Sequence, residues 1–277
     1  MPSRPTPPKS LASLIPLPQL LVFDFDGTLA PLTNHPRDTV LPTQTAQLLA
    51  NISPFCTIAL LTGRSIADLR EKLAHTVFAP DFCIGNHGME GLPSCERASA
   101  QAVKTMSQWR SALEEGTWKT PGIFFEDKTL SASIHFRECQ DQESGQQEIL
   151  RRIESLHPRP EVIEGKLVYN LLPPNSPNKG SALIELIALT QVRSALFMGD
   201  DVTDEHGFAV QTHAFLEQSG IDLTTVRIGT QCPTLAEFTL VEQGEVNLFL
   251  DALHERLFLS KGEFDHFRDG LRLPLNS

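Results

Sequence analysis

The sequence has few cysteines, and none of them lie in a pairing pattern. The five are scattered along 277 residues, their number is odd, and no two form a C-x-x-C pair. This spacing argues against a disulfide framework and against a structural zinc site. Free thiols are typical of a reducing compartment, so we expect a cytoplasmic protein.

Long apolar segments are also lacking. No stretch approaches the roughly 18 uninterrupted apolar residues that a membrane-spanning helix requires. Residues 1–19 are rich in proline and serine, and Pro16 and Pro18 interrupt their apolar positions. The segment therefore lacks the continuous core of a signal peptide. We expect residues 1–19 to form a flexible leader and the protein to bind no membrane.

Positive charge is in deficit. The chain has 23 Lys and Arg against 34 Asp and Glu, a formal net charge of −11. Nucleic acids and anionic membranes attract basic surfaces, so we expect neither as a partner. Apolar residues make up 40% of the chain, enough for a core, and the length allows one large domain or two smaller ones.

A short apolar run ends in two carboxylates. Residues 20–23 suit a strand that is buried on both faces of a parallel sheet, and Asp24, Asp26 and Gly27 follow it. Open α/β sheets bind ligands where their strands end. Two neighbouring carboxylates repel each other without a cation or a shared proton, which favours a hard ion such as Mg²⁺. Taken alone, the segment could also be an aspartate-rich turn that caps a helix.

Alternation of apolar runs and helical patterns predicts the fold class. The first third of the chain reads as strand, helix, strand, helix, strand, helix, which is typical of a parallel doubly wound sheet. Alternating polar and apolar residues after 123 instead predict antiparallel strands. We expect an α/β protein with a Rossmann-like parallel core and an inserted α+β cap domain. The predicted bounds are 20–116 and 175–277 for the core and 117–174 for the cap.

Four loops after predicted strands or linkers carry polar residues suited to phosphate chemistry. In order, the loops resemble the four motifs of the haloacid dehalogenase-like (HAD) superfamily. The residues concerned are Asp24 and Asp26, Thr62, Lys179, and Asp200 with Asp201 and Asp204.

The resemblance implies a role for each of these residues. Asp24 is implied as the nucleophile that forms an aspartyl-phosphate, and Asp26 as the general acid and base. Thr62 and Lys179 would hold the phosphoryl oxygens. Mg²⁺ would be bound by Asp24, Asp200 and the Asp26 carbonyl, supported by Asp201 and Asp204. Each assignment has a structural alternative. Thr62 and Asp204 could be helix caps without a catalytic role, and Lys179 could be a solvated linker residue.

Further motifs resemble the trehalose-6-phosphate phosphatases within this superfamily. The similarity runs from about residue 21 to about residue 253, and it implies hydrolysis of trehalose 6-phosphate. The residues it implies as substrate-binding are Arg64, Asn86, His87, Gly88, Glu126, Lys128, Ser131, His135, Arg137 and Asn170.

Residues 131, 133, 135 and 137 share one strand face by the period of two, and they offer hydrogen-bond donors to a hydroxyl-rich anion. Their alternative is an ordinary solvated strand face. His87 could be a structural histidine, and Arg64 a loop clamp or a surface charge.

One departure from the family pattern concerns the sugar. The family usually has Glu and Arg where this chain has Asn170 and Leu172. Asparagine lacks the charge assistance of a carboxylate acceptor. Alternatives therefore stay open: a phosphatase of another sugar phosphate such as sucrose 6-phosphate, a dehalogenase or mutase, or a silent binding protein. The sequence leaves the oligomeric state undetermined.

Overall fold

The computed structural model describes residues 5–33, 35–114, 118–165, 167–212, 214–230 and 233–260. Lys166, Cys232 and the tail from residue 261 therefore lie outside the described residues. The strands are β1 Leu20–Phe23, β2 Thr57–Leu61, β3 Phe82–Ile84, β4 Phe124–Asp127, β5 Ala132–His135, β6 Glu161–Gly165, β7 Val168–Leu172, β8 Ser194–Gly199, β9 Asp222–Ile228 and β10 Phe238–Leu240. The α-helices are α1 Pro8–Leu14, α2 Thr43–Ile52, α3 Ile66–Leu73, α4 Cys95–Glu114, α5 Gln142–Glu154, α6 Lys179–Thr190, α7 Glu205–Phe208, α8 Ala214–Ser219 and α9 Glu245–Leu259.

These strands form two sheets of different kinds. The larger is parallel, in the order β10-β9-β8-β1-β2-β3, and the smaller is antiparallel, in the order β4-β5-β7-β6. In chain order the smaller sheet lies between β3 and β8. The predicted fold class, a parallel α/β core with an inserted α+β cap, is confirmed.

The apolar run of β1 is explained by burial on both faces. Leu21 and Phe23 pack into a core cluster with residues of α1, α2 and α9, whereas Leu20 and Val22 pack into a second cluster with residues of α6. Successive side chains of a strand point to opposite faces, so all side chains of a strand covered on both faces are buried and tend to be apolar. Hydrophobic layers on both faces thus hold β1 in the centre of the sheet.

The register of the parallel sheet brings the polar loops together. Phe23 lies opposite Leu60 of β2 on one side and Met198 of β8 on the other. Asp24, Thr62 and Asp200 each follow directly after one of these three adjacent strands. They therefore emerge at the same edge of the sheet, at the point where the strand order reverses.

Helix α4 belongs with the smaller sheet, which differs from the predicted boundary at residue 117. Met106, Trp109 and Leu113 of α4 are buried in one cluster with Ile134 of β5 and Ile149 of α5. The helical pattern of this segment was assigned to the parallel core because it followed β3. From Met106 onward its apolar face covers the antiparallel sheet, whereas Cys95 at its start packs in the cluster that contains Leu20 and Val22. The smaller layer therefore begins within α4.

The prediction of a flexible leader does not hold for residues 5–19. Helix α1 begins with proline at its first position, where no hydrogen bond is lost, and it buries Leu11 against α9. Arg256 of α9 donates from Nη1 to the carbonyl oxygens of Ala12 and Ile15, at 2.7 and 2.6 Å. Pro16 ends the helix rather than marking disorder. No helix in the described part of the chain is long and apolar enough to span a bilayer.

Candidate active site

A cavity of about 500 Å³ lies between the carboxyl edge of the parallel sheet and the antiparallel sheet. Its size falls within the range of about 300–1,000 Å³ that is common for small-molecule sites. The core contributes the predicted catalytic residues to its wall, and the cap contributes polar side chains from β4, β5 and β7. From the predicted set, the wall contains Asp24, Asp26, Thr62, Arg64, His87, Glu126, Lys128, His135, Arg137, Asn170, Lys179, Asp200 and Asp201. Ser133, which was placed only on the same strand face, also lines it.

Lys179 is a buried cation of the site. Asn178 caps α6 by accepting from the Ser181 N–H at 3.0 Å, so α6 begins at Lys179. The Lys179 Nζ donates to Asp24 Oδ1 at 2.8 Å and to Asp204 Oδ1 at 2.7 Å. Burial alone would lower the pKa of Lys179, but the carboxylates of Asp204 and Asp24 raise it, so the ammonium stays charged. The alternative of a solvated linker lysine is excluded.

Asp204 supports the loop between β8 and α7. Its Oδ2 accepts from the backbone N–H groups of Asp200 and Asp201, at 3.0 and 2.9 Å, while its Oδ1 accepts from Lys179. The side chain is fully buried. Both carboxylate oxygens are therefore engaged by protein donors, and Asp204 fixes the loop that carries Asp200.

Three carboxylates form a cluster that could hold a metal ion. Ligand oxygens of Asp24, Asp200 and Asp204 lie within 4.8 Å of one another. Burial, with the nearby carboxylates, raises the pKa of Asp24 to about 7 even against the opposing effect of Lys179. Burial and the Asp24 carboxylate also raise the pKa of Asp200. A divalent cation bound by oxygen ligands would offset this repulsion, so the donor set fits a hard cation.

Gly27 leaves the space that this cluster needs. Its backbone has φ of +83°, and an added Cβ would lie 2.1 Å from Asp200 Oδ2. The adjacent Thr28 donates from its hydroxyl to Asp200 Oδ1 at 3.2 Å. The turn after β1 therefore both admits the Asp200 carboxylate and orients it.

Asp26 is bound by an arginine in this structure. Arg64 donates from Nε and Nη2 to the two oxygens of Asp26, both at 2.6 Å. It also donates to Asp68 at 2.5 Å and to the Pro36 carbonyl at 2.8 Å. Burial opposes the charge, but these carboxylates raise the pKa of Arg64. Arg64 thus clamps both Asp26 and the loop over residues 35–39, in agreement with the loop-clamp alternative.

Thr62 lies buried at the carboxyl end of β2 and lines the cavity. Its Oγ1 accepts from the Arg64 backbone N–H at 3.2 Å. The hydroxyl hydrogen stays available to an acceptor in the cavity, because this contact uses only an oxygen lone pair. Ser65, rather than Thr62, caps α3 by accepting from Asp68 N at 3.2 Å.

His87 is a buried neutral imidazole on the cavity wall. It has φ of +58°, its ring packs against Gly63, and within the described ranges its Nδ1 has no hydrogen-bond partner. Burial, together with the nearby charges of Lys128 and Lys179, lowers the pKa of His87 well below its ordinary value. The ring is therefore neutral at neutral pH.

This burial predicts a pH dependence of stability. Below an ordinary pKa of 6.5 the unfolded His87 binds a proton that the native ring does not, so stability falls as the pH falls. The contribution is up to about 1.4 kcal/mol per pH unit. His87→Asn, which tolerates positive φ, should show a smaller loss of unfolding free energy between pH 7 and 5 in urea titrations. His75→Asn, at an exposed position, is the control; equal pH slopes for all three proteins would contradict the assignment.

On the cap face of the cavity, Glu126 lies close to His135 and Lys128. Glu126 Oε2 lies 3.0 Å from His135 Nε2 and 3.9 Å from Lys128 Nζ. Burial would raise the pKa of Glu126, but the hydrogen bond from His135 and the Lys128 charge lower it to about 2. Glu126 is therefore a carboxylate acceptor at neutral pH. Lys128 Nζ also lies 3.3 Å from the Gly63 carbonyl, which joins the cap to the core.

Asn170 and Leu172 have different environments. Asn170 lines the cavity from β7, and its Oδ1 accepts from the Ser133 hydroxyl of β5 at 2.6 Å. Leu172 is buried in a small cluster with Met89, Ala102 and Leu130. Of the two positions that depart from the family pattern, Asn170 faces the cavity, whereas Leu172 fills an apolar space.

Three predicted substrate-binding residues lie behind the cavity wall. Asn86 and Ser131 are buried, and the Ser131 hydroxyl donates to Asn86 Oδ1 at 2.7 Å. Asn86 Nδ2 in turn lies 3.3 Å from the Lys128 carbonyl. An added Cβ on Gly88 would meet the Asn178 carbonyl at 2.8 Å, so this glycine permits close packing against α6. In this structure these residues support the wall, and their predicted contact with substrate stays a prediction.

Sequence reasoning missed the contribution of the loop after β1 in detail. Thr33 and Arg37 of this loop line the cavity. Arg137 donates to the Thr33 carbonyl at 2.8 Å, and the Arg37 guanidinium lies 5.7 Å from the centre of the Phe124 ring. The loop thus bridges core and cap. Its prolines at positions 31, 36 and 42 are typical of a loop, but no sequence signal identified its partners.

The arrangement defines the class of protein. A parallel core with carboxylates at the strand ends and an inserted cap is the HAD-type phosphatase fold. The C-terminal domain of Candida albicans trehalose-6-phosphate phosphatase has the same fold, with a TM-score of 0.72 at 20% identity over 91% of this chain and 98% of that one. The sucrose-phosphatase of Synechocystis sp. PCC6803, solved with sucrose and phosphate, gives a TM-score of 0.52 at 18% identity over 86% of this chain and 98% of that one.

The family follows from the sequence. The profile of the trehalose-phosphatase family matches residues 22–243, and the chain belongs to this family. It is 29% identical over 205 residues to the trehalose-phosphate phosphatase of Mycobacterium marinum, covering 70% of this chain and 51% of that protein. The Mycobacterium leprae trehalose-phosphate phosphatase is 28% identical over 251 residues, covering 85% of this chain and 57% of that protein. The chain spans about half the length of these curated relatives.

Proposed function

We propose that this protein hydrolyses trehalose 6-phosphate to trehalose and phosphate through an aspartyl-phosphate intermediate, with Mg²⁺ as cofactor. The observation that carries the proposal is the buried contact of Lys179 with Asp24 beneath a cavity lined by polar cap residues. Membership of the trehalose-phosphatase family supports the choice of substrate. The cytoplasmic location stays a prediction based on the cysteine pattern.

In the proposed reaction, two carboxyl groups divide the chemistry. An Asp24 oxygen attacks phosphorus as the ester P–O bond breaks, and a proton on Asp26 passes to the departing sugar oxygen. In the second step Asp26 takes a proton from water, whose oxygen attacks phosphorus and releases phosphate from Asp24. Asp26 must first turn away from Arg64, because both of its oxygens accept from that side chain in this structure. Lys179 and Thr62 are placed to bind the phosphoryl oxygens.

Asp24, Asp200 and the backbone carbonyl of Asp26 would hold Mg²⁺. When bound, the ion supplies charge that offsets the phosphoryl oxygens and the acidic cluster. Asp204 holds Lys179 and the loop through its two oxygens, so its proposed role is support. Asp201 lines the cavity beside Asp200 and adds a further carboxylate there.

A second candidate is a phosphatase of another disaccharide phosphate, such as sucrose 6-phosphate. The observation that favours it is Asn170, which lines the cavity where the family usually has glutamate. The experiment is phosphate release from trehalose 6-phosphate, sucrose 6-phosphate, glucose 6-phosphate and an aryl phosphate, each with Mg²⁺ and with excess chelator. Strong preference for trehalose 6-phosphate supports the proposal, whereas preference for another sugar phosphate would refute trehalose 6-phosphate as the substrate. Full activity in excess chelator would refute Mg²⁺ as the cofactor.

Removal of the Asn170 amide should weaken sugar binding without slowing the chemistry. Asn170→Ala is expected to raise KM for trehalose 6-phosphate by about tenfold, the effect of losing roughly 1.4 kcal/mol of hydrogen bonding, with kcat within about twofold. Steady-state kinetics at saturating Mg²⁺ measure both constants. Asn51→Ala, an exposed asparagine on α2, is the matched control. An unchanged KM would show that Asn170 does not contact the sugar.

A further inference from the structure

Arg227 is a buried arginine that no motif identified. It lies near the end of β9, opposite Gly199 in the register with β8, and is only 6% exposed. Gly199 is the last residue before the loop that carries Asp200 and Asp201. Arg227 therefore lies beside the acidic loop without being part of the cavity-lining set.

The guanidinium of Arg227 binds this loop through its backbone. Nη2 donates to the Asp200 carbonyl at 2.9 Å, and Nη1 lies 3.5 Å from the Asp201 carbonyl. Nη1 also pairs with Glu205 Oε1 at 2.6 Å. The other Glu205 oxygen accepts from the Leu235 N–H at 2.8 Å, which ties the pair to the segment before β10.

Asp200 is consequently held at both of its backbone polar groups. Its N–H is bound to Asp204 Oδ2 at 3.0 Å, and its carbonyl to Arg227 at 2.9 Å. With its backbone N–H and carbonyl bound, Asp200 directs its carboxylate into the acidic cluster with Asp24. A carboxylate close to another carboxylate would otherwise move away to relieve repulsion. Fixing the backbone on both sides keeps it in place before a cation binds.

We propose that Arg227 and Glu205 form a positioning pair that preorganises Asp200 for the divalent cation. This inference rests on the proposed function, because it assumes that the acidic cluster binds Mg²⁺. Outer-shell partners of metal ligands commonly change metal affinity by about 10- to 100-fold. The pair acts through the loop and touches neither the substrate nor the reacting atoms.

The test is calorimetric titration of the full chain with Mg²⁺ for the wild type, Arg227→Lys, Arg227→Met and Glu205→Gln. Arg227→Met should raise the Kd for Mg²⁺ by about tenfold or more. Arg227→Lys should give a smaller increase than Arg227→Met, because its ammonium keeps the charge that pairs with Glu205. Some increase should remain, because a single ammonium cannot reach the carbonyls and Glu205 with the fork geometry of arginine. At saturating Mg²⁺, KM for trehalose 6-phosphate should stay unchanged and kcat should largely recover.

Arg256→Met is the matched control. Arg256 also donates to two backbone carbonyls, but these belong to residues 12 and 15, and it lies on α9. Its variant should lose stability and keep the wild-type Kd for Mg²⁺. Wild-type Kd values in the folded Arg227 and Glu205 variants would overturn the positioning role, even if their stability falls. Absence of Mg²⁺ binding by the wild type itself would refute the proposed cofactor and, with it, this inference.

Discussion

Asp24→Asn is expected to abolish phosphate release while leaving the fold intact. The amide has nearly the same shape, and its oxygen can still accept from Lys179, but it cannot attack phosphorus. Loss of a nucleophile removes the step that the remaining groups assist, so activity should fall by roughly 10⁴-fold or more. Phosphate release from trehalose 6-phosphate at saturating Mg²⁺ measures the effect.

The stability of the same variant should not fall. The pKa of Asp24 is raised to about 7 in the folded chain, above its ordinary 3.8, so folding favours the neutral form. The stability linked to that proton is full below about 3.8 and is lost as the pH rises toward 7. In Mg²⁺-free buffer at pH 7, Asp24→Asn should therefore unfold at the same urea concentration as the wild type or a higher one. Asp68→Asn is the control for the loss of a different, nearby carboxylate. Phosphate release by Asp24→Asn above a few per cent of the wild-type rate would refute the assignment of Asp24 as the nucleophile.

Lys179→Met should have the largest effect on stability. Lys179 is 2% exposed, and its ammonium is bound to Asp24 and Asp204. Its removal leaves buried carboxylates without a compensating charge, at a cost of roughly 3–5 kcal/mol. Activity should also be lost, because Lys179 is bound directly to Asp24 and its ammonium is the side-chain charge proposed to bind the phosphoryl oxygens there. Urea denaturation and phosphate release measure the two losses.

A second substitution separates these effects. Asp204→Asn in the Lys179→Met background removes one of the uncompensated charges, so it should restore at least half of the lost unfolding free energy. Activity should stay absent, since the cation is still missing. Lys104→Met, at an exposed position of α4, is the control for loss of a lysine. A stability equal to the wild type in Lys179→Met would contradict the buried ion-pair assignment.

The core could be predicted because local patterns and long-range packing agree there. The apolar run of β1 predicted a strand buried on both faces, and both faces are covered. Helix α4 was assigned to the wrong layer, because an amphipathic pattern shows that a face is buried and not which sheet covers it. For α1, the prolines were given more weight than the spacing of Leu11 and Ile15, which places both on one buried face.

Among the site residues, too, some positions could be predicted from the sequence and others could not. Asp24, Thr62 and Asp200 follow strands directly, so parallel topology alone brings them together. Ser131 and Ser133 have the same strand parity, yet only Ser133 lines the cavity, because Ser131 is covered by Asn86. Periodicity cannot distinguish these two environments. Arg227 acts through backbone carbonyls, and such contacts leave no pattern in the sequence.

The measurement that tests the central claim most directly is a competition between two substrates. Wild-type protein with Mg²⁺ is given equal, low concentrations of trehalose 6-phosphate and sucrose 6-phosphate, and the free trehalose and sucrose are quantified. The ratio of products equals the ratio of the two kcat/KM values. We expect trehalose to predominate by at least about tenfold, since a sugar-binding site discriminates by roughly that factor or more for hydrogen-bonding differences. Predominance of sucrose, or release of neither sugar by the folded protein, would contradict the proposed function.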